Sequence, residues 1–196
     1  LSTKQLHYSY PGSTQLLTYP DMEVNAQTLF IKGLNGKGKT TFIQLLLAKC
    51  EPTAGILNVA YSAQDIAVIP QNIHLIPHLS CWDFFFSTLH FKRDTQSDRF
   101  KKDVQIALDA FSLTAFIHEP LSSLSLGQQR SIMIIKALLS HPKLIIADEP
   151  TTSLDQRAQT VALDLLFDYC EKHDCRLLCV SHQLHLEDKF ESVLTF

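Results

Sequence analysis

The chain has 196 residues, 45% of them hydrophobic, and a formal net charge of −3. That is enough for one compact domain, and so small a charge gives no global field for nucleic acid or an anionic membrane surface. No apolar run reaches the roughly 18 residues of a membrane-spanning helix. Nothing reads as a signal peptide, and an opening Leu1 suggests a trimmed start. Five cysteines without a C-x-x-C pair read as reduced thiols in a cytosol.

In chain order, Leu6–Gly12 reads as a strand running into a turn, with Tyr8 and Tyr10 on one face by alternation. Thr28–Ile31 reads as a strand and Thr41–Ala48 as a helix. Between them, Gly33-Leu34-Asn35-Gly36-Lys37-Gly38-Lys39-Thr40 fits G-x-x-x-x-G-K-[ST] at every fixed position. The strand–loop–helix context makes that pattern a structural claim. Glycines let backbone N–H groups curl around phosphate oxygens, and the helix N-terminus adds positive potential. Lys39 is expected to reach the β/γ-phosphates as a point charge, and the Thr40 hydroxyl to ligate Mg²⁺. Asn35, Gly36, Lys37, Gly38 and Thr41 complete the expected ATP-binding loop.

A second apolar run, Ile66–Gln71, closes on Gln71. Beyond it, the aromatics from Trp82 to Phe86 either line a groove for a partner or pack a local core. The charged run Lys92–Arg99 reads as a solvated loop. Val104, Ile106, Ala107, Leu108, Ala110 and Phe111 repeat with a period near 3.6 and predict a helix.

The run Lys143–Ala147 predicts a buried strand ending in Asp148 and Glu149, at the kind of strand end where open α/β sheets place ligands. Neighbours on a strand point oppositely, so the two carboxylates should have different tasks. Asp148 fits the ordering of Mg²⁺, and Glu149 fits the general base that polarises the attacking water. Leu177–Ser181 is a further apolar strand, ending in His182. Cys170, His173, Cys175 and Cys179 are ligand-type side chains, but their spacing crosses from a helix into a buried strand, which argues against a closed zinc site. His185 is ligand-like only if His182 is not already engaged at the strand end.

The phosphate loop, Gln71, Leu124-Ser125-Leu126-Gly127-Gln128-Gln129, the Asp148-Glu149 strand, Ser153-Leu154-Asp155 and the His182 strand follow in one order and spacing. Together they resemble the ABC (ATP-binding cassette) ATPases over nearly the whole chain. The resemblance implies an α/β fold: a P-loop NTPase nucleotide-binding domain with a small antiparallel β portion and a helical subdomain. One domain, 1–196, would comprise a catalytic core with its N-terminal β portion (1–71 and 123–196) and the subdomain (72–122).

By the same resemblance, Tyr10 stacks on adenine, with Tyr8 as its rival. Gln71 is the hinge that reports γ-phosphate occupancy and joins Thr40 and Asp148 around the metal. His182 is the switch histidine that holds the water in line with Glu149. Ser125, Gly127 and Gln128 cap the γ-phosphate bound by another subunit. The implied cofactors are ATP and Mg²⁺. The implied partners are an integral membrane permease and a second ABC subunit, expected to be an identical copy, with no nucleic acid. The place is the cytoplasm, peripheral on the inner face of the membrane.

Two positions depart from the family's pattern. Leu126 stands where the signature's first glycine is usual, and leucine is a strained occupant if that position is left-handed. Ser131 stands at or near a place where arginine is common, with Arg130 as its substitute. A finer resemblance, in Pro70–Leu79, Ala147–Asp155 and the clipped end after His182, is to short cassettes of the macrolide-exporter and lipoprotein-releasing type. The Gln-Gln-Arg signature is also similar to haem-exporter cassettes. Two other classes remain open: a soluble ABC ATPase of translation or DNA repair, and a nucleotide-binding regulatory subunit.

Overall fold

The computed structural model of the chain describes residues 1–34, 36–90 and 94–196, without the side chains of Leu184 and His185. Asn35 of the expected phosphate loop, Lys92 and Arg93 of the charged run and the His185 side chain therefore lie outside the described residues. Strand β1 (Ser2–Tyr8) pairs antiparallel with β2 (Leu17–Thr18) near one end and β3 (Met22–Glu23) near the other. Strand β4 (Thr28–Lys32) leads through the glycine loop into helix α1 (Lys39–Leu46), after which β5 (Ala54–Asn58) returns to the free edge of β1. Next come β6 (Ile66–Ile69), α2 (Cys81–Leu89), α3 (Asp98–Ala110) and α4 (Leu126–Leu139). The chain then alternates β7 (Leu144–Asp148), α5 (Gln156–His173), β8 (Arg176–Val180) and β9 (Ser192–Thr195).

Strands β6-β7-β8-β4-β9 form an all-parallel sheet. Such a sheet needs cover on both faces, and the pleat sorts its side chains accordingly. Leu144, Ile146, Leu178 and Val180 pack on the face covered by α1 and the antiparallel sheet, around Phe42 and Leu6. Ile145, Ala147, Leu177 and Cys179 pack on the opposite face, against α4 and α5. All five residues of β7 are buried, which is why it reads as a continuous apolar run rather than an alternating one.

A separate core joins α2, α3 and the other side of α4, with Phe85, Phe100, Val104, Leu108, Ile132 and Ile135 fully buried. Phe84 and Phe85 belong to this core, whereas Trp82 is half-buried edge-on to Phe100 and Phe86 is exposed. Of the two readings of these aromatics, local packing accounts for most. The charged run is not simply a loop: the Ser97 hydroxyl accepts from the Phe100 N–H at 3.2 Å and caps α3, and Thr95 is buried. The cap satisfies a backbone donor that the helix itself leaves unpaired.

Candidate active site

The carboxyl ends of β4 and β7 and the N-terminus of α1 converge on a cleft of about 280 Å³. Gly36, Gly38, Lys39, Thr40 and Thr41 line it from the phosphate loop; Asp148, Glu149 and Gln71 line it from the sheet. Tyr10 closes one side, and its hydroxyl lies 2.8 Å from the Thr41 hydroxyl. The two tyrosines take different places: Tyr8 is buried in the core and meets Tyr10 edge-on at 5.0 Å, while Tyr10 is half-exposed at the cleft. Lys37 is exposed and does not contribute to the lining.

Gly38 caps α1 with φ 87°, a left-handed conformation that glycine adopts without a Cβ penalty. An added Cβ there would also meet the Tyr19 hydroxyl at 2.9 Å. The Lys39 ammonium folds over the loop, donating to Gly33 O at 2.7 Å and Leu34 O at 3.1 Å. It is thus held at the mouth of the cleft by carbonyls that a phosphate oxygen would outcompete electrostatically.

Asp148 ends β7, but Glu149 has already left the strand with φ 51°. The two carboxylates diverge through this left-handed turn rather than by strand alternation, a correction to the sequence reading. A glutamate in that conformation is strained, and strain of this kind persists where surrounding bonds over-determine it. Here the Glu149 N–H donates to Val180 O at 2.8 Å, the Ser181 hydroxyl donates to Oε2 at 2.9 Å, and the His182 N–H donates to Oε1 at 3.0 Å. His182 Nδ1 lies 2.8 Å from the same Oε1. Ser181 is wholly buried, while the His182 side chain is two-thirds exposed. Burial, then the neighbouring Glu149 charge, push the Asp148 carboxyl up from its ordinary range, with Lys39 and Arg130 pulling the other way.

A hydroxyl at Thr40, a carboxylate at Asp148 and an amide at Gln71 on one cleft form the oxygen donor set that a hard divalent cation such as Mg²⁺ takes. Among the described residues, no group of three or more His, Cys, Asp or Glu side chains is placed to hold a metal ion. Cys170 and Cys175 are buried in the core, while His173 stacks outside on Tyr169 at 4.4 Å.

Ser125, Gly127 and Gln128 are not brought to the cleft. They start α4: the Ser125 hydroxyl accepts from the Gln128 N–H at 3.2 Å and Gln128 Oε1 accepts from the Ser125 N–H at 2.8 Å, a reciprocal capping box. Leu126 is the first residue of the helix and is exposed, with no positive φ. The expected left-handed strain is absent. Gly127 is the constrained position, since a Cβ there would stand 2.6 Å from Ser153 O.

A family model described as ABC transporter matches residues 21–152, more than half of the chain. The chain belongs to the ABC transporter family. Within it, a zinc import ATP-binding protein of Photorhabdus laumondii is 32% identical over 158 residues, 81% of this chain and 59% of that protein. A phosphonates import ATP-binding protein of Nocardia farcinica is 30% identical, covering 89% of this chain and 73% of that one. A solved transporter described as metal-chelate type, in an inward-facing conformation, matches with 30% identity and a TM-score of 0.75 over 93% of this chain and 73% of its own. The cassette spans between 35% and 59% of the length of three curated relatives it matches. The two curated relatives named here are import proteins, so these comparisons carry the family and not the macrolide-exporter or lipoprotein-releasing subgroup.

Sequence reasoning missed the Ser181 anchor and the contributions of Gln15, Leu17 and Tyr19. Ser181 had a signal in its place before His182 at a strand end. Tyr19, whose hydroxyl donates to Gly38 O at 3.0 Å, follows a two-residue strand too short to show periodicity.

Proposed function

We propose that this chain is the ATP-hydrolysing subunit of an ABC transporter, closing with a second copy over ATP and Mg²⁺ to drive a separate membrane permease from the cytoplasmic face. The carrying observation is Glu149, fixed by Ser181 and His182 on the same cleft as Lys39, Thr40 and Asp148. A carboxylate with both oxygens held is oriented to accept a proton from a water attacking a phosphoryl group. Lys39 would bind the β/γ-phosphates, and Tyr10 would stack on the base. Thr40, Asp148 and Gln71 would hold Mg²⁺, which supplies counter-charge for the phosphate oxygens.

Two features support the partners. The Ser125 helix start, a natural anion site, does not line the cleft of its own chain; a second copy can supply it. No helix among the described residues is long and apolar enough to cross a membrane, and the curated relatives carry the names of ATP-binding proteins of import systems, which fits work alongside a membrane-spanning part. The importer names of the relatives favour uptake as the direction. The finer resemblance to macrolide-exporter and lipoprotein-releasing cassettes rests on the quoted segments alone.

The test is turnover of ATP·Mg²⁺ by the purified chain and by Glu149→Gln, with solution mass by light scattering. The reading requires turnover that falls by about a hundredfold or more in the variant, and an ATP-dependent doubling of mass in Glu149→Gln. Equal turnover in the two proteins removes Glu149 as the base.

A further inference from the structure

Arg130 is the least expected side chain in the molecule. It sits in the second turn of α4, only 3% exposed, and donates through Nη1 to Pro70 O and through Nη2 to Gln71 O at 2.6 Å. Those carbonyls belong to consecutive residues just beyond β6, and Gln71 itself lines the nucleotide cleft. Nε has no partner. A buried guanidinium that meets two carbonyls and no carboxylate is a poor stabilising device, because desolvation of the charge is only partly repaid. Its charge is answered at a distance: burial pushes Arg130 down from its usual value, while Asp148 and Glu149 push it back up.

We propose that Arg130 is a positioning residue, a strut that ties the start of the signature helix to the backbone of Gln71, so that occupancy of the cleft is relayed to Ser125. The inference rests on the nucleotide-cleft reading above. The rigid planar fork of a guanidinium gives each of the two carbonyls its own nitrogen in a fixed geometry, whereas a lysine ammonium is a single rotatable point charge on a flexible stem. Arg130 lies five residues from the Ser125 cap, about 7.5 Å along the helix axis. A displacement of Gln71 toward a bound phosphate or its cation therefore pulls on α4 just over one turn beyond the cap. The relay has a second fixed end: Gln129 Nε2 donates to Leu124 O at 3.0 Å and Leu121 O at 3.2 Å, tying the approach to the cap onto the helix. The cap and the strut thus move as one piece.

The experiment is hydrogen exchange at backbone amides 127–131, with and without ATP·Mg²⁺, in Glu149→Gln and in Glu149→Gln/Arg130→Met, at dilutions where light scattering shows a monomer. Methionine fills much of the volume without burying a charge, so the variant should melt near the parent temperature. ATP is expected to change exchange at these amides severalfold in the parent and not in the Met variant, with bound ATP retained in both. On the otherwise unmodified chain, Arg130→Met and Arg130→Lys should lower kcat about tenfold or more while KM for ATP stays within about threefold. A purely structural role would instead lower the melting temperature, be rescued by lysine, or leave kcat per folded molecule intact; each of these overturns the proposal. ATP that binds the parent without altering exchange at α4, or alters it equally in the Met variant, overturns the strut alone. Failure of the parent to bind ATP overturns the strut together with the functional reading.

Discussion

The Oε1 atom of Glu149 is held twice by His182, from its backbone N–H at 3.0 Å and from Nδ1 at 2.8 Å. A carboxylate only accepts, so the Nδ1 contact assigns the imidazole proton to that nitrogen. The left-handed turn at Glu149 is therefore not loose: β8 ends at Val180, and the next two residues grip the carboxylate of the neighbouring strand.

Ser181→Ala tests that grip without replacing Glu149 or His182. Among the described residues Oε2 loses its one donor, and the carboxylate gains freedom to rotate while both His182 contacts remain. Misplacement of a catalytic group can cost up to about a hundredfold. Steady-state kinetics should show kcat down by about tenfold to a hundredfold with KM for ATP nearly unchanged. An unchanged kcat would mean that His182 alone orients Glu149.

Asp148 makes a pH prediction. Its carboxyl is raised from the ordinary 3.8 by burial and by Glu149, so the folded state holds the proton more tightly than the unfolded state. Stability from that proton is full below 3.8 and is lost as pH rises through the raised folded value. At neutral pH the ionised Asp148 is a net liability for folding, kept for its place in the cleft. Asp148→Asn should therefore melt higher than the parent at pH 7, with the gap closing as pH falls toward 3.8, and should hydrolyse ATP poorly. A lower melting temperature at pH 7 would show that Lys39 and Arg130 outweigh the burial.

The sequence carried the glycine loop, the two strand ends and helix α3 because each depends on local chemistry: glycine conformations, continuous apolar runs on a doubly covered sheet, a 3.6 period. It did not carry the turn at Glu149. Nothing in Asp-Glu-Pro announces a positive φ on a glutamate; the conformation is held by Val180 and Ser181, residues far along the chain. Gln15 and Leu17 reach the cleft beside and on a two-residue strand whose pairing with β1 is decided by tertiary contact, and the buried Tyr19 just after it holds Gly38 O from behind. The signature position was misjudged for a related reason. Glycine in a motif suggested a left-handed backbone at Leu126, when the constraint on the helix start is the approach of Ser153 to Gly127.

Leu126→Gly follows from that correction. If leucine were strained at a left-handed position, glycine would stabilise the protein. As the first residue of α4, exposed and helical, leucine has nothing to relieve. Replacement should cost up to about 1 kcal/mol from helix propensity, read as a lower urea midpoint, with ATP affinity unaltered because Leu126 does not line the cleft. A higher midpoint would restore the strained reading.

Gly127→Ala sets two effects against each other at the adjacent position. Alanine in place of glycine favours the helix by about 0.8–1.0 kcal/mol, less in the first turn. Against this, the new Cβ would stand 2.6 Å from Ser153 O, and the obstacle is backbone, in a turn where Ser153 already has φ 70°. Overpacking of this kind costs about 1–3 kcal/mol, so the contact should win and the urea midpoint should fall. The damage should spread toward Glu149, because Thr151 in the same turn donates to Gln183 Oε1 at 3.1 Å and the Thr152 N–H donates to Glu149 O at 3.2 Å. A drop in kcat larger than the loss of folded protein is expected. A variant more stable than the parent would show that the Ser153 turn yields freely, and that Gly127 is not what holds the signature helix against it.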